Sequence, residues 1–400
     1  MEDEFDKIKD LLVTKQNWPW WPLLPLYPYG KKKTLFKEVI RNQVWSFEQL
    51  QGIYYVAVPV RLIVIKVSGG LMLYNSLPPT SELLKDLFQL EKKYGPVKTI
   101  VLPTASGLEH KVSLPALARA FPKANLWICP GQWSFPFDLP LSWLGFPKAR
   151  TRVLFADGLP HTDCCDWFSL GPLDIGLGRF QEVSCYHKDS KSLLVTDSLI
   201  GIEASPPAIF DFDPTALLFH SRENGYEPLI DSPSAREKGW KRIVLFASFL
   251  RPEQLSIPSI AEVLQNAFKP GLRNPKAHFG LYPFNWDKDW ESSSKKLLGI
   301  NQPAIQIAPV LERLVFPRAR KCFIDWLGKV GSINGMRWLI SSHYSARVSF
   351  SNNDASILRS RILKRSWAPE EGNWRFLSWV DKTLLNLGVV PSDPRSRFKD

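Results

Sequence analysis

The chain has 400 residues and only six histidines, three of which end or closely follow apolar runs. His110 follows "TIVLP" (99–103), His220 ends "ALLFH" (216–220), and His343 ends "RWLISSH" (337–343). Carboxylates stand in comparable places. Glu109 directly precedes His110, and Asp197 ends "SLLVTD" (192–197). Acid and imidazole groups delivered from separate strand ends are the donors that a zinc, iron or manganese ion uses. A water activated on such an ion is a nucleophile at neutral pH. Other roles stay open at each position. Asp197 precedes apolar residues and fits a helix cap as well. His220, followed by Ser-Arg-Glu, fits a local polar network. An acid beside a histidine, as at Glu109-His110, is weak by itself. His161 and His278 read as loop residues, and His187 as a hydrogen-bonding residue beside a turn.

Positioning such groups needs a rigid frame, and the residues between them alternate strand and helix. "GIYYVAVPVRLIVIKVSGGLMLYNS" (52–76) reads as two or three strands with a turn at Gly69-Gly70. "PTSELLKDLFQLEKKYG" (79–95) reads as a helix, capped by Thr80 or Ser81 and ended by Gly95. "VKTIVLP" is a strand, "LPALARAFPKA" a helix and "NLWICPG" a strand. "EVSCYH" (182–187) and "SLLVTDS" (192–198) pair across a short turn, and "ALLFH" reads as one more strand. "AREKGWKRIVLFASFL" (235–250) has the 3.6-residue period of a helix, and the tail "PEEGNWRFLSWVDKTLLNLGVV" is helical too. The alternation predicts a layered α/β domain.

Three segments follow from the pattern. Residues 1–50 form an N-terminal extension, rich in Pro and Trp over 17–34. Residues 51–350 form the α/β domain with a helical and loopy insertion around 230–330. Residues 351–400 form a helical tail. The prolines at 19, 22, 25 and 28 forbid a regular helix there. That stretch is expected to wrap its own domain or to meet a protein partner or a membrane surface.

Composition narrows the class further. Five cysteines without a CxxC spacing fit reduced thiols rather than a disulfide framework. The net charge of +12 is dispersed, and no nucleic-acid motif accompanies it. No apolar run reaches the ~18 residues that span a bilayer. The acidic start "MEDEFDKIKD" lacks the features of a signal or transit peptide. The expected compartment is the cytoplasm or an equivalent such as the plastid stroma.

The order "LPTASGLEHK", "SLLVTDS", "LISSHYS" resembles the metallo-β-lactamase-fold hydrolases. The longer stretches "WPLLPLYPYGKKKT", "YYVAVPVRLIVIK", "REKGWKRIVLFASF" and "FGLYPF" resemble the DUF4336 family, over about residues 17–350. The resemblance implies a metallo-β-lactamase-like αββα sandwich. The hydrolases' loop pattern H-x-H-x-D-H falls on Ala105 to His110, so its first two histidines are Ala105 and Gly107 here. Its acid is Glu109 and its last histidine His110. Asp197 matches the bridging aspartate and His343 the late histidine. The central histidine has no counterpart unless Glu182 replaces it.

The resemblance thus implies a ligand set for one ion, Zn, Fe or Mn, made of Glu109, His110, Asp197 and His343. His220 would be a proton shuttle or fifth ligand. The activity implied is hydrolysis of a small ester, thioester or amide. Two alternatives stay open: a catalytically degenerate fold acting in binding or assembly, and a non-haem iron oxidoreductase.

Overall fold

The computed structural model describes residues 26–28, 32–105, 107–132, 139–174, 179–225, 227–267, 270–271, 274, 280–299, 304–364 and 374–390. Most of the 17–34 segment, and His278, lie outside these residues.

The first sheet contains β1 (Leu26–Tyr27), β2 (Leu35–Ile40), β3 (Val44–Ile53), β4 (Val56–Val67), β5 (Gly70–Tyr74), β6 (Val97–Leu102), β7 (Asn125–Ile128) and β8 (Thr151–Val153). Its order is β1-β3-β4-β5-β6-β7-β8, with β2 also paired to β3. Strands β2 to β5 form antiparallel hairpins, and β5 to β8 run parallel. Parallel neighbours need crossovers. Helix α1 (Ser81–Tyr94) joins β5 to β6, α2 (Leu108–Lys111) with α3 (Leu114–Ala120) joins β6 to β7, and residues 129–150 join β7 to β8. The Thr80 hydroxyl accepts from the Leu83 amide and caps α1, while Gly95 at φ 99° ends it.

The sheet begins earlier than residue 51, because β2 and β3 are a hairpin within the stretch expected to be an extension. Asn42 at its turn has φ 56°, a left-handed conformation that Asn tolerates.

The second sheet holds β9 (Cys165–Asp174), β10 (Arg179–His187) and β11 (Ser192–Val195). Then come β12 (Ile200–Ile202), α4 (Thr215–Ser221), α5 (Pro233–Phe249), β13 (Leu255–Ser256), α6 (Ile260–Ala267), β14 (Asn285–Trp286), α7 (Trp290–Leu298), β15 (Ala304–Gln306), α8 (Pro309–Leu314) and α9 (Arg320–Gly331). Strands β16 (Trp338–Ser341) and β17 (Val348–Ser349) return to the second sheet, in the order β17-β16-β11-β10-β9. Helices α10 (Asn352–Leu363) and α11 (Arg375–Asn386) follow.

Period-2 alternation sorts the side chains into layers. In β4, Leu62 and Val64 pack outward with Leu83, Leu87 and Leu117 of α1 and α3. Ile63 and Ile65 face inward, joining Val183, Cys185, Leu194 and Ile340 of the second sheet. The outer face of that sheet, with Leu193, Val195 and Leu339, is covered by Phe323, Trp326 and Leu327 of α9 and by Leu358 of α10. Helix, sheet, sheet, helix is the αββα sandwich expected from the sequence.

A fourth core gathers Tyr27, Tyr55, Phe219, Trp240 and Phe284 around α4 and α5. These two helices touch at Gly239, where a Cβ would stand 1.9 Å from the Leu217 carbonyl oxygen. "ALLFH" is therefore helix α4, not a strand. Asp213 accepts from the Thr215 amide (3.0 Å) and hydroxyl (2.5 Å), setting the first turn. A short apolar run buried on every side carries no period to separate helix from strand. Among the described residues, no helix is long and apolar enough to cross a membrane.

Candidate metal centre

Four strand ends converge on one edge of the sandwich. Asn75 and Ser76 follow β5, and the loop to α2 follows β6. Thr196 and Asp197 follow β11, and Ser342 and His343 follow β16. Bridges Thr104–Glu182 and Val60–His343 tie the two sheets together there, and Asn75 donates to Ser342.

The Nε2 of His343 lies 3.1 Å from Asp197 Oδ1 and 3.8 Å from Glu109 Oε1. Ligand atoms of Glu109, His110 and His343 all fall within 4.8 Å of one another. The rings of His110 and His343 are 5.8 Å apart. His110 is fully buried, and among the described residues neither ring nitrogen makes a hydrogen bond of ordinary geometry. Buried imidazole nitrogens are seldom left so. The side chains of Glu109 and Asp197 keep 29% and 21% exposure, so the group meets solvent on one side.

Each side chain is held from behind. The Pro59 carbonyl accepts from His343 Nδ1 at 3.2 Å, which aims Nε2 at the carboxylates. Ser76 donates to the His110 carbonyl, as does Ser113 at 3.2 Å. Gly107 permits the close turn: a Cβ there would be 2.7 Å from Thr104 Cγ2 and 3.2 Å from the His110 ring. A histidine at 107 would collide with both.

Arg61 is fully buried and clamps the β16–β17 loop. Its Nη1 donates to the Ser341 carbonyl, its Nη2 to Tyr344 O at 2.7 Å and its Nε to Glu48 at 3.1 Å. Glu182, 1% exposed, does the same for the β11–β12 loop. Its Oε1 accepts from Thr196 N (2.9 Å) and Ser198 Oγ (2.7 Å), its Oε2 from Asp197 N (2.8 Å) and Ser198 N (2.9 Å).

Charge follows from this packing. Burial pushes His110 below its ordinary value, keeping it the neutral imidazole that ligates metals. Burial also opposes a charged His343, but the Asp197 hydrogen bond and the two carboxylates outweigh it and raise it. Burial would raise Asp197, yet its bond to His343 holds it below the carboxylate range. Burial, then the Asp197 charge, raises Glu182.

Of the residues singled out in the sequence, Glu109, His110, Asp197 and His343 come together, with Asp197 reaching the group through His343. No helix follows Asp197, so it caps none; β12 comes next. Glu182 is a loop anchor rather than a member of the ligand group.

His220 stands in α4 among Phe219 (5.4 Å) and Phe284 (5.1 Å), and among the described residues no hydrogen bond, ion pair or ring contact joins it to the four. Its expected role is that of shuttle or fifth ligand. That expectation assumed a strand end, whereas helix α4 carries it into the insertion core. His161 bonds Thr99 (2.8 Å) and His187 bonds Ser190 (2.8 Å).

Sequence reasoning missed Arg61 and Pro59. The only signal at Arg61 is a charge inside an apolar strand, which must find partners when buried.

Two carboxylates and two imidazoles suit a divalent ion, and tetrahedral ligands at ~2.0–2.2 Å stand about 3–4 Å apart. The spacings of His343 to Asp197 (3.1 Å) and Glu109 (3.8 Å) fall in that range, and His110 joins Glu109 and His343 in a group spanning 4.8 Å.

The sequence profile of DUF4336, described as a domain of unknown function, matches residues 41–359, and the chain belongs to that family. No curated protein matches the chain by sequence. Solved structures similar to it, all at low identity, include metallo-β-lactamases and a flavodiiron core. A metallo-β-lactamase from Pontibacter korlensis is 16% identical, with a TM-score of 0.30, covering 53% of this chain and 83% of that one. The FIM-1 metallo-β-lactamase from Pseudomonas aeruginosa, in its mono-zinc form, is 7% identical, with a TM-score of 0.36, covering 84% and 97%. The metal-soaked Flv1 flavodiiron core from Synechocystis is 10% identical, with a TM-score of 0.39, covering 84% and 62%.

Proposed function

We propose that this member of the DUF4336 family is a single-metal hydrolase of a small ester, thioester or amide. Its ion would be held by Glu109, His110 and His343, with Asp197 as fourth ligand. The observation that carries this reading is His110, a buried neutral imidazole whose ring nitrogens make no hydrogen bond of ordinary geometry among the described residues, placed against a carboxylate and a second imidazole. A bound ion would supply Lewis-acid polarisation of a carbonyl and a more acidic water.

The chain's own residues do the rest. The Ser76 hydroxyl holds the His110 backbone through its carbonyl, and the Pro59 carbonyl orients the His343 ring so that Nε2 meets the carboxylates. Glu109 and Asp197, partly exposed, are placed to hold or release a proton on the solvent side.

The test is metal uptake by chelator-stripped protein, measured by titration calorimetry with Zn2+, Mn2+ and anaerobic Fe2+ and by elemental analysis. One ion per chain is expected, weakened at least ~100-fold in His110→Ala and His343→Ala, the loss of one ligand. Wild-type protein that takes up no more ion than His343→Ala refutes the reading and leaves the binding or assembly alternative. Release of alcohol or thiol from model esters and thioesters then tests the reaction.

A second reading rests on the same atoms. Two histidines and one carboxylate are also the facial set of non-haem iron oxygenases. Preference for Fe2+ over Zn2+, with oxygen consumption, would favour it.

A further inference from the structure

Behind the loop that carries His343 opens a cavity of about 440 Å³, walled by Glu48, Arg61, Tyr344 and Ser345. None of Glu109, His110, Asp197 or His343 lines it. The volume suits a small molecule.

Two groups in the wall lack partners. Glu48 is 1% exposed; one carboxylate oxygen accepts from Arg61 and the other has no protein partner among the described residues. Ser345 is 7% exposed and its hydroxyl is also without a partner. Arg61 is already engaged by Glu48 and by the carbonyls of the 341–345 loop, so it offers no free charge to an anion. This part of the wall therefore presents a carboxylate oxygen and a hydroxyl that can accept, and the buried Ser345 hydroxyl is costly to leave unpaired.

Two aromatic rings also line the cavity, Trp240 and Tyr344, with centroids 6.1 Å apart. The cavity is also lined by cations: Lys37, without an ion-pair partner among the described residues, and Arg347, which bonds the Val39 carbonyl at 2.9 Å. Glu38 and Glu203 line it too, and Glu38 already accepts from the Asn42 amide. A plain amine would satisfy Glu48 and leave Lys37 without an ion-pair partner among the described residues. A plain acid would meet the cations and leave the second Glu48 oxygen without a donor. A ligand with both charges meets both.

We propose that this cavity is a second binding site, for a zwitterion of amino-acid size with an apolar side chain. Its ammonium group donates to Glu48 and Ser345, its carboxylate lies at Lys37 and Arg347, and its chain packs on Trp240 and Tyr344. The site is separate from the metal centre and stands whether or not an ion binds there.

The test uses the full chain with a chelator present, so that no probe is held by a metal. Norleucine is compared with hexylamine and hexanoate by titration calorimetry and thermal shift. Norleucine is expected to bind 1:1, at least about tenfold more tightly than either single-charge analogue. Lys37→Met should weaken norleucine about tenfold and leave hexylamine unchanged. Ser345→Ala should weaken both by a few-fold. Three probes that bind equally, no saturable norleucine binding by the folded protein, or a Lys37→Met chain that binds norleucine as before would each overturn the proposal.

Discussion

Glu182→Gln isolates what holds Asp197 in place. The side chain keeps its size but loses its charge, and one oxygen becomes a donor. In the best placement the amide oxygen takes the Oε2 position and keeps the Asp197 and Ser198 amides. The new NH2 group then replaces Oε1, where the Ser198 hydroxyl can turn to accept it but the Thr196 amide cannot. One buried N–H is left unsatisfied, at about 1–3 kcal/mol, and two charge-assisted bonds become neutral, at about 1 kcal/mol each. Relief of repulsion with Asp197 and of the buried charge returns about 1–2 kcal/mol, in line with the raised Glu182. The net loss is about 2–3 kcal/mol. Urea denaturation at pH 7 should show it as a lower midpoint with an unchanged slope. Metal affinity should fall about tenfold, because Asp197 is anchored through the same carboxylate. Stability within about 0.5 kcal/mol of wild type, together with unchanged metal affinity, would refute the anchoring argument.

Other perturbations read other parts of the design. Arg61→Met leaves the Glu48 charge and the loop carbonyls without their donor and should cost about 3–5 kcal/mol; Glu48→Gln added to it should recover part of that in a double-mutant cycle. Burial, then Arg242 and Arg222, holds His220 neutral down to about 3. The unfolded chain takes its proton below the ordinary 6.5, so this contribution is complete above pH 6.5 and shrinks as pH falls towards 3. At pH 5 the loss is about 2 kcal/mol, and His220→Leu should flatten the stability profile between pH 6.5 and 5 by that much. Gly239→Ala drives a Cβ against the Leu217 carbonyl and should lower the melting temperature by about 5 °C or more, as an overpacked helix contact does.

Local signals were legible in the sequence where a residue's meaning is settled by its neighbours in the chain. Thr80 and Gly95 mark the ends of α1 because caps act within one turn. Glu109, Asp197 and His343 stood out because each follows a strand-like run, and strand ends converge. Arg61 and Glu182 did not, because their partners are remote: the Ser341 carbonyl that Arg61 holds is 280 residues away. A buried charge has no reading until its partner is known. "ALLFH" misled for a related reason, since burial on all sides erases the period that separates strand from helix. Strand β9 was overlooked, as the Cys164-Cys165 stretch where it begins resembles a loop and its pairing with β10 lies in tertiary contacts.

Strands β11 and β16 are side-by-side parallel partners, yet residues 196–337 lie between them in the chain. During synthesis, β11 must therefore wait for its neighbour with one edge unpaired, while the insertion core around Trp240 can already condense. Long-range parallel pairing is slow, and an open strand edge invites association with other chains. Conditions that slow elongation through this interval should favour aggregates over native protein, and chaperone demand should fall once the His343 segment has emerged.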